Sequence, residues 1–370
     1  ITFFAAFQLF PTIPFRIVEL GGTKASAGLF LALYTYASAF TAPLTGTLAD
    51  HLGRRRTLIF SALAFILFSL LYGVVTWLPL LIMIACIHGT FWSALLSASG
   101  AIITDIIPVS RRTEGLAYWG MAPTGAIAIS PLVGIEVYRS GGWLVLCLGM
   151  AALSVVLTIL AFRVRGGNEA KATAFPRIGQ IVDWRVMLNA MTLFVMAFGY
   201  GGITSYVAMM SLERGIHPPS LFFTVTAIVM ILTRILFAPL GDRFGPEKLL
   251  YPSVVVVPFG FALLAFATSR HDVILAGILF GVGFGGAYPA FMTFVLGHAH
   301  PVRRAATFGS ILWAMDTGIG TGSFALGLII EKSGYTAAFM TAVGLSALAI
   351  PIFLATAPLL RKQSAAANQE

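Results

Sequence analysis

Gly46-Thr47-Leu48-Ala49-Asp50-His51-Leu52-Gly53-Arg54-Arg55-Arg56 is a short charged stretch set between two long apolar ones, Ala25 to Leu44 and Leu58 to Trp77. Each flank is about 20 residues, enough at about 1.5 Å per helical residue to cross the roughly 30 Å of a bilayer's hydrocarbon. The charges between them therefore read as a turn standing in water. Three consecutive arginines place that water in the cytoplasm, because short loops rich in Lys and Arg stay on that side. A looser copy, Ala238-Pro239-Leu240-Gly241-Asp242-Arg243-Phe244-Gly245-Pro246-Glu247-Lys248, begins 192 residues after Gly46. Asp242 answers Asp50, Gly245 answers Gly53 and Lys248 answers Arg56. A chain that repeats such a turn at half its length reads as two similar halves.

Composition agrees with this reading. The 370 residues are 58% hydrophobic and 10% charged, with a mean hydropathy of +0.91, which excludes a soluble domain of this size. Spanning segments must be helices or a closed barrel, and apolar runs of about 20 residues decide for helices, since barrel strands would be about 10 residues with alternation. A formal charge of +9 would suit a nucleic-acid partner in a soluble protein; here loop topology accounts for it, and no nucleic acid is expected. Cys86 and Cys147 both lie inside apolar runs, against a disulfide framework or a zinc site. The chain opens at Ile1 within an apolar stretch, so a preceding segment is expected.

Twelve spans follow from the hydropathy pattern, at about 1–18, 25–49, 56–77, 78–105, 113–138, 142–163, 186–211, 219–240, 249–268, 272–297, 305–330 and 335–358. Of the 23 Lys and Arg, sixteen fall on one set of loops and ends, six on the other, and Arg234 lies inside a span. The bias puts both termini in the cytoplasm of a multi-pass plasma-membrane protein, with a composition like that of a bacterial inner-membrane protein. The polar segment 164–185 divides the chain, giving halves 1–163 and 186–358 and a cytoplasmic tail 359–370. Further echoes join the halves: Pro108-Val109-Ser110-Arg111-Arg112 with Pro301-Val302-Arg303-Arg304, and Arg139-Ser140-Gly141-Gly142-Trp143 with Lys332-Ser333-Gly334-Tyr335.

The doubled motif resembles the signature loop of the major facilitator superfamily, between the second and third helices. The resemblance covers nearly the whole chain and implies an all-α membrane protein, twelve transmembrane helices in two pseudo-symmetric six-helix halves. It also implies a small-molecule substrate carried near the midplane between the halves, a working monomer, and no cofactor or enzymatic reaction. For the loop itself, Gly46, Asp50, Gly53, Arg54, Arg55 and Arg56, with Asp242, Arg243 and Gly245, it implies an inner gate whose charge contacts form in one state and break in the other. The plainer reading is that the glycines permit a tight turn and the arginines enforce topology.

Gly125, Ser130, Pro131 and Gly134 in the fifth span resemble the glycine-proline motif of the drug/proton antiporter and sugar-efflux branch, with Ser130 where that motif has its first glycine. The resemblance implies export, while small residues and proline also serve plain helix packing and bending. In the fourth span the arginine usual in that branch is replaced by Ala85 and a glutamine by His88. His88 is thus either a titratable group for proton coupling or a neutral histidine bonded to a neighbouring helix.

Arg234 and Asp316 are the deepest charges, and ionisable groups at such depth are functional by default. Counted along their spans they lie about 12 and 18 Å from the same membrane face. They read as a pair that protonation of Asp316 releases, or as a permanent ion pair, or as an arginine snorkelling to the inner surface. Gln8, Tyr34, Trp92, Trp119, Asn189, Tyr200, Tyr288 and Trp313 are the candidate cavity lining, and aromatic walls with few polar handles suit amphipathic organic molecules. Gly277, Gly281, Gly283, Gly285 and Gly286, and Gly318, Gly320 and Gly322, read as close-packing positions. The leading expectation is proton-coupled efflux by alternating access. An importer or uniporter of sugars or organic acids, or an exporter of metal-chelating metabolites, stays open beside it. An intramembrane enzyme or channel is disfavoured, because the close histidine pair His298 and His300 has no third ligand nearby and no filter repeat occurs.

Overall fold

The computed structural model describes residues 1–107, 112–164, 184–298 and 304–367. Its helices are α1 (Thr2–Glu19), α2 (Lys24–Leu52), α3 (Arg54–Val74), α4 (Leu78–Ile106), α5 (Arg112–Arg163), α6 (Trp184–Glu213), α7 (Leu221–Phe244), α8 (Pro246–Phe266), α9 (Arg270–His298), α10 (Arg304–Ala347) and α11 (Ala349–Ala367). No strand occurs among the described residues. The all-helical result is what hydrocarbon demands, since each backbone N–H and C=O must find its partner within the segment. The divider at 164–185 and the echoes at 108–111 and 301–303 lie almost wholly outside the described residues.

Eight stretches are long and apolar enough to cross a membrane among the described residues. The difference from twelve has two sources. Ile129–Arg163 and Thr307–Arg361 each run through two of the expected spans, α7 contributes the shorter apolar stretch Leu221–Phe237, and Thr2–Glu19, which carries Arg16 and Glu19, is not among the eight. The last helix also continues to Ala367, past the end expected at 358.

The stretch 46–56 corrects the sequence reading of an open charged turn. Helix α2 persists to Leu52 and α3 starts at Arg54, so the reversal is made by Gly53 alone, at φ 95 and ψ 128. Gly245 does the same between α7 and α8 at φ 87 and ψ 153. Such backbone is open to glycine and to essentially nothing with a side chain. Helical charges satisfy the same polar pattern that suggested a loop, which is why the sequence did not separate the two. Gly142 and Gly334 break α5 and α10 at φ 79 and 80. Among the described residues positive φ occurs at six glycines, completed by Gly21 and Gly215. They pair across the halves: Gly245 follows Gly53 by 192 residues, Gly334 follows Gly142 by the same 192, and Gly215 follows Gly21 by 194.

The chain divides into two compact units. The first comprises Ile1–Gly22 and Leu33–Pro176, the second Thr23–Ala32 and Arg177–Glu370. In the first, α1 packs on α5, and α3 on α4 and α5. In the second, α6 packs on α10, and α9 lies against α7 and α8. Glycine sets the close approach of α9: a Cβ on Gly281 would come within 2.8 Å of Thr226 O on α7, and one on Gly283 within 2.9 Å of Ser253 O on α8.

Helix ends are closed by side chains. In the first unit the Trp143 indole donates to the Tyr72 carbonyl at the end of α3, 2.7 Å away. In the second, Arg214 donates to the carbonyls of Leu264 at 3.1 Å and Ala267 at 2.9 Å at the end of α8. Such bonds supply donors at helix ends, where the last carbonyls lack full intrahelical pairing; Leu264 also accepts from the Ala267 N–H at 3.3 Å. The start of α2, which belongs to the second unit, is capped by Thr23 Oγ1 on Ser26 N–H and by Glu331 on Ala25 N–H, both at 3.1 Å. The Tyr206 phenol lies 2.8 Å from the carbonyls of both Lys24 and Ser323.

Gly53→Ala is expected to cost about 1–3 kcal/mol, the range for a residue forced into a glycine-only region. Gly149→Ala, in helical backbone with open space at its Cβ position, should be neutral or gain up to about 1 kcal/mol. Thermal midpoints of the two variants in detergent check the contrast.

Candidate functional site

Two groups of polar and aromatic residues, one in each unit, stand out among the buried side chains of the described residues. The first centres on His88 of α4, which is buried, with Nδ1 3.2 Å from the Tyr72 hydroxyl on α3. Aromatic rings surround the imidazole: Phe65 at 4.6 Å, Phe68 at 4.8 Å and nearly parallel, Tyr34 at 4.9 Å. Trp92, one turn further along α4, stacks on Phe65 at 6.4 Å and meets Phe3 edge-on at 5.0 Å. Tyr34 joins the group through Trp92 at 6.2 Å. Of the two sequence readings of His88, the bonded histidine matches this geometry in its contact with Tyr72.

Gln8 of α1 is buried beside the glycine-proline motif. A Cβ on Gly134 would stand 2.9 Å from Gln8 Cα, so the absence of a side chain lets α5 touch α1. Ser130 donates to the Ala126 carbonyl one turn back at 2.6 Å, and Pro131 is buried beside it. Gly125 has open space at its Cβ position. The motif acts locally as a packing surface. The side chain of Trp119 lies outside the described residues.

The second group joins four helices of the second unit. Arg234 of α7 lies within electrostatic reach of Tyr200 on α6 and Tyr288 on α9, and Tyr288 within reach of both Arg234 and Asp316 on α10. Arg234, Tyr288, Trp313 and Asp316 are each partly buried. Tyr200 stacks on Phe284 at 5.0 Å and on Phe280 at 6.0 Å, which fixes its ring against α9. One turn before Asp316 on α10, the Trp313 carbonyl accepts from Thr317 Oγ1 at 2.6 Å. A guanidinium, a carboxylate and two phenols gathered inside a membrane half can bind a polar group of a solute or exchange a proton. Asn189 stands apart from this group, donating to Thr356 Oγ1 on α11 at 3.0 Å.

At the signature stretch Asp50 and Arg54 form an ion pair of 2.9 Å across Gly53. Arg55 donates to the Phe162 carbonyl at 2.6 Å, a cation on the C-terminal end of α5 where the helix dipole is negative. Arg56 is exposed. In the second copy Arg243 lies over the Phe244 ring at 5.3 Å, and Glu247 pairs with Arg361; the Asp242 side chain lies outside the described residues. Among the described residues no cluster of three or more metal-ligating side chains occurs.

Sequence reasoning missed Tyr72, the partner of His88, and Glu213, which pairs with Lys24 at 2.8 Å and accepts from Tyr335 at 2.8 Å. Lys24 and Glu213 are charges at the ends of apolar runs, a signal that was available. Nothing in the spacing singles out Tyr72.

Comparison with known proteins follows this geometry. A sequence profile described as Major Facilitator Superfamily matches residues 1–311 and 190–370. The "Uncharacterized MFS-type transporter YhhS" of Escherichia coli strain K12 is 23% identical over 332 residues, 88% of this chain and 82% of that protein. Its Salmonella typhimurium namesake is 24% identical over 343 residues with the same coverage. A POT family transporter solved in complex with 5-aminolevulinic acid superposes with a TM-score of 0.78 at 14% identity, over 97% of this chain and 94% of that one. The nucleoside transporter NupG gives 0.73 at 17%, covering 96% of each chain. The human organic anion transporter MFSD10 (TETRAN) gives 0.67 at 16%, over 95% and 96%.

The Asp50–Arg54 pair is part-exposed, and such pairs contribute about 0–1 kcal/mol. Asp50→Asn is therefore expected to leave the thermal midpoint of the purified protein almost unchanged.

Proposed function

Because the chain belongs to the Major Facilitator Superfamily and is thus a membrane transporter rather than an enzyme, we propose that it exports small amphipathic organic molecules in exchange for protons, by alternating access. The observation that carries this reading is the group of Arg234, Tyr200, Tyr288 and Asp316 inside the second unit. An acid whose charge is balanced by a nearby guanidinium changes that balance when it takes up a proton. A proton arriving at Asp316 then weakens its hold on Arg234, and the freed cation meets the solute or a different set of partners. Only such a difference in interaction between two states can drive a conformational equilibrium.

Export rather than import is supported by the small-residue surface of Gly125, Ser130, Pro131 and Gly134. Aromatic rings at Tyr34, Trp92, Tyr200 and Trp313 would suit flat or apolar solute bodies in a state that uncovers them, since Tyr34, Trp92 and Tyr200 are buried here. Solved proteins of the same fold include a nucleoside transporter and an organic anion transporter by title, so small organic solutes are the natural range. In this reading Asp50, Arg54, Arg55 and Arg56, with Asp242 and Arg243, serve as the inner gate. The protein works as a monomer in a bacterial inner membrane with both termini in the cytoplasm.

The test is uptake of fluorescent amphipathic dyes and labelled sugars into inside-out vesicles, with and without an imposed proton gradient. Gradient-driven accumulation is expected for the unmodified protein, and at least a tenfold loss of it for Asp316→Asn. Transport that ignores the gradient, or that survives Asp316→Asn with the same dependence, would sink the coupling assignment.

A further inference from the structure

The offset of 192 residues shared by Gly53 with Gly245 and by Gly142 with Gly334 allows positions in the two halves to be matched by subtraction. His88 then corresponds to Phe280. Phe280 is fully buried, and its ring is enclosed by those of Tyr200, Phe222, Phe261 and Phe284 at 5.3 to 6.0 Å. Hydrocarbon and aromatic rings fill this place in the second half. Packing alone therefore does not call for a ring nitrogen in the first.

The surroundings of His88 differ from those of Phe280 in polarity and in fit. His88 is 6% exposed, and its Nε2 has no hydrogen-bond partner among the described residues. It lines a cavity of about 10 Å3 together with Ser69 and Tyr72 of α3 and Ser154 of α5. That volume is about the least that admits one water. The Ser69 and Ser154 hydroxyl protons are already committed, to the Phe65 carbonyl at 2.8 Å and the Met150 carbonyl at 2.9 Å. Both serine oxygens keep lone pairs with which to accept.

We propose that His88, Ser69 and Ser154 form a binding site for one internal water, which fixes the neutral imidazole as its Nε2–H tautomer. Tyr72 donates to Nδ1, so the ring proton stands on Nε2 and is given to the water. The water returns its two protons to Ser69 and Ser154. It thus makes three hydrogen bonds, the usual number for a buried water. The other tautomer is worse matched: with Nδ1–H donating to Tyr72, the water would give one proton to Nε2 and have one left for two serines. In the favoured arrangement the water links α3, α4 and α5 through side chains, where the second half relies on stacked rings. His88 then acts as a positioning residue in the first half.

The site is tested without any transport assay, so its outcome is separate from that of the coupling reading. The full chain, labelled with 15N-histidine and held in lipid bilayers, is measured by solid-state NMR at alkaline pH. The His88 signal is identified by its loss in His88→Phe, which places in the first half the ring that the second half already accommodates; His88→Gln identifies it equally if that variant does not fold. The expected result is a protonated Nε2, polarisation transfer from water to that proton, and at least a fivefold loss of the transfer in the Ser69→Ala/Ser154→Ala double variant. A protonated Nδ1, no transfer from water, or transfer that survives in the double variant would overturn the proposal.

Discussion

Inside a bilayer, a carbonyl that leaves its helix has no water to turn to, and this chain is arranged around that constraint. Its helices stay long because reversals at the signature positions use one residue each, Gly53 and Gly245. Where an end lies close to the interior, a side chain closes it, as Trp143 does for Tyr72 and Arg214 for Leu264 and Ala267. Tyr72 and Leu264 are themselves 192 residues apart, so the two halves meet the same need at the same place by different chemistry. Most polar side chains that are buried are Ser and Thr. Against that background the ionisable groups His88, Arg234 and Asp316 carry weight.

Much of this was legible in the sequence because membrane helices write their length directly as apolar runs. The glycine-rich stretch of α9 was readable as a packing surface, and Gly281 and Gly283 stand against neighbouring backbones as such residues must. The depth of Arg234 and Asp316, counted in residues from the helix ends, placed them close, and Tyr288 lies within reach of both. Other features were not legible. A polar stretch such as 46–56 has the same composition whether it is loop or helix, and only the backbone angle at Gly53 decides between them. Which way a helical residue such as Asn189 faces depends on the partner helix, and its amide meets Thr356. The bond between Tyr72 and His88 is a matter of side-chain direction between adjacent helices, which hydropathy does not record.

The two interiors also show how one frame carries two kinds of content. Around His88 the rings of Tyr34, Phe65 and Phe68 surround a group that can both give and take a hydrogen bond. Around Phe280 stand the rings of Tyr200, Phe222, Phe261 and Phe284. In a neighbouring part of the second half, the phenol of Tyr288 lies within electrostatic reach of both Arg234 and Asp316. A charge in so apolar a medium is costly, and polar neighbours reduce that cost.

The pairing of turn glycines has a historical meaning. Two of the three positive-φ glycines in each half recur at an interval of 192 residues and the third at 194, a pattern consistent with a duplicated ancestor and few net insertions between the copies. Matched by that interval, Arg234 corresponds to Ala42 and Asp316 to Thr124. The second half carries both charges at these positions and the first carries neither. The two halves thus share their turn positions and differ in the chemistry they bury.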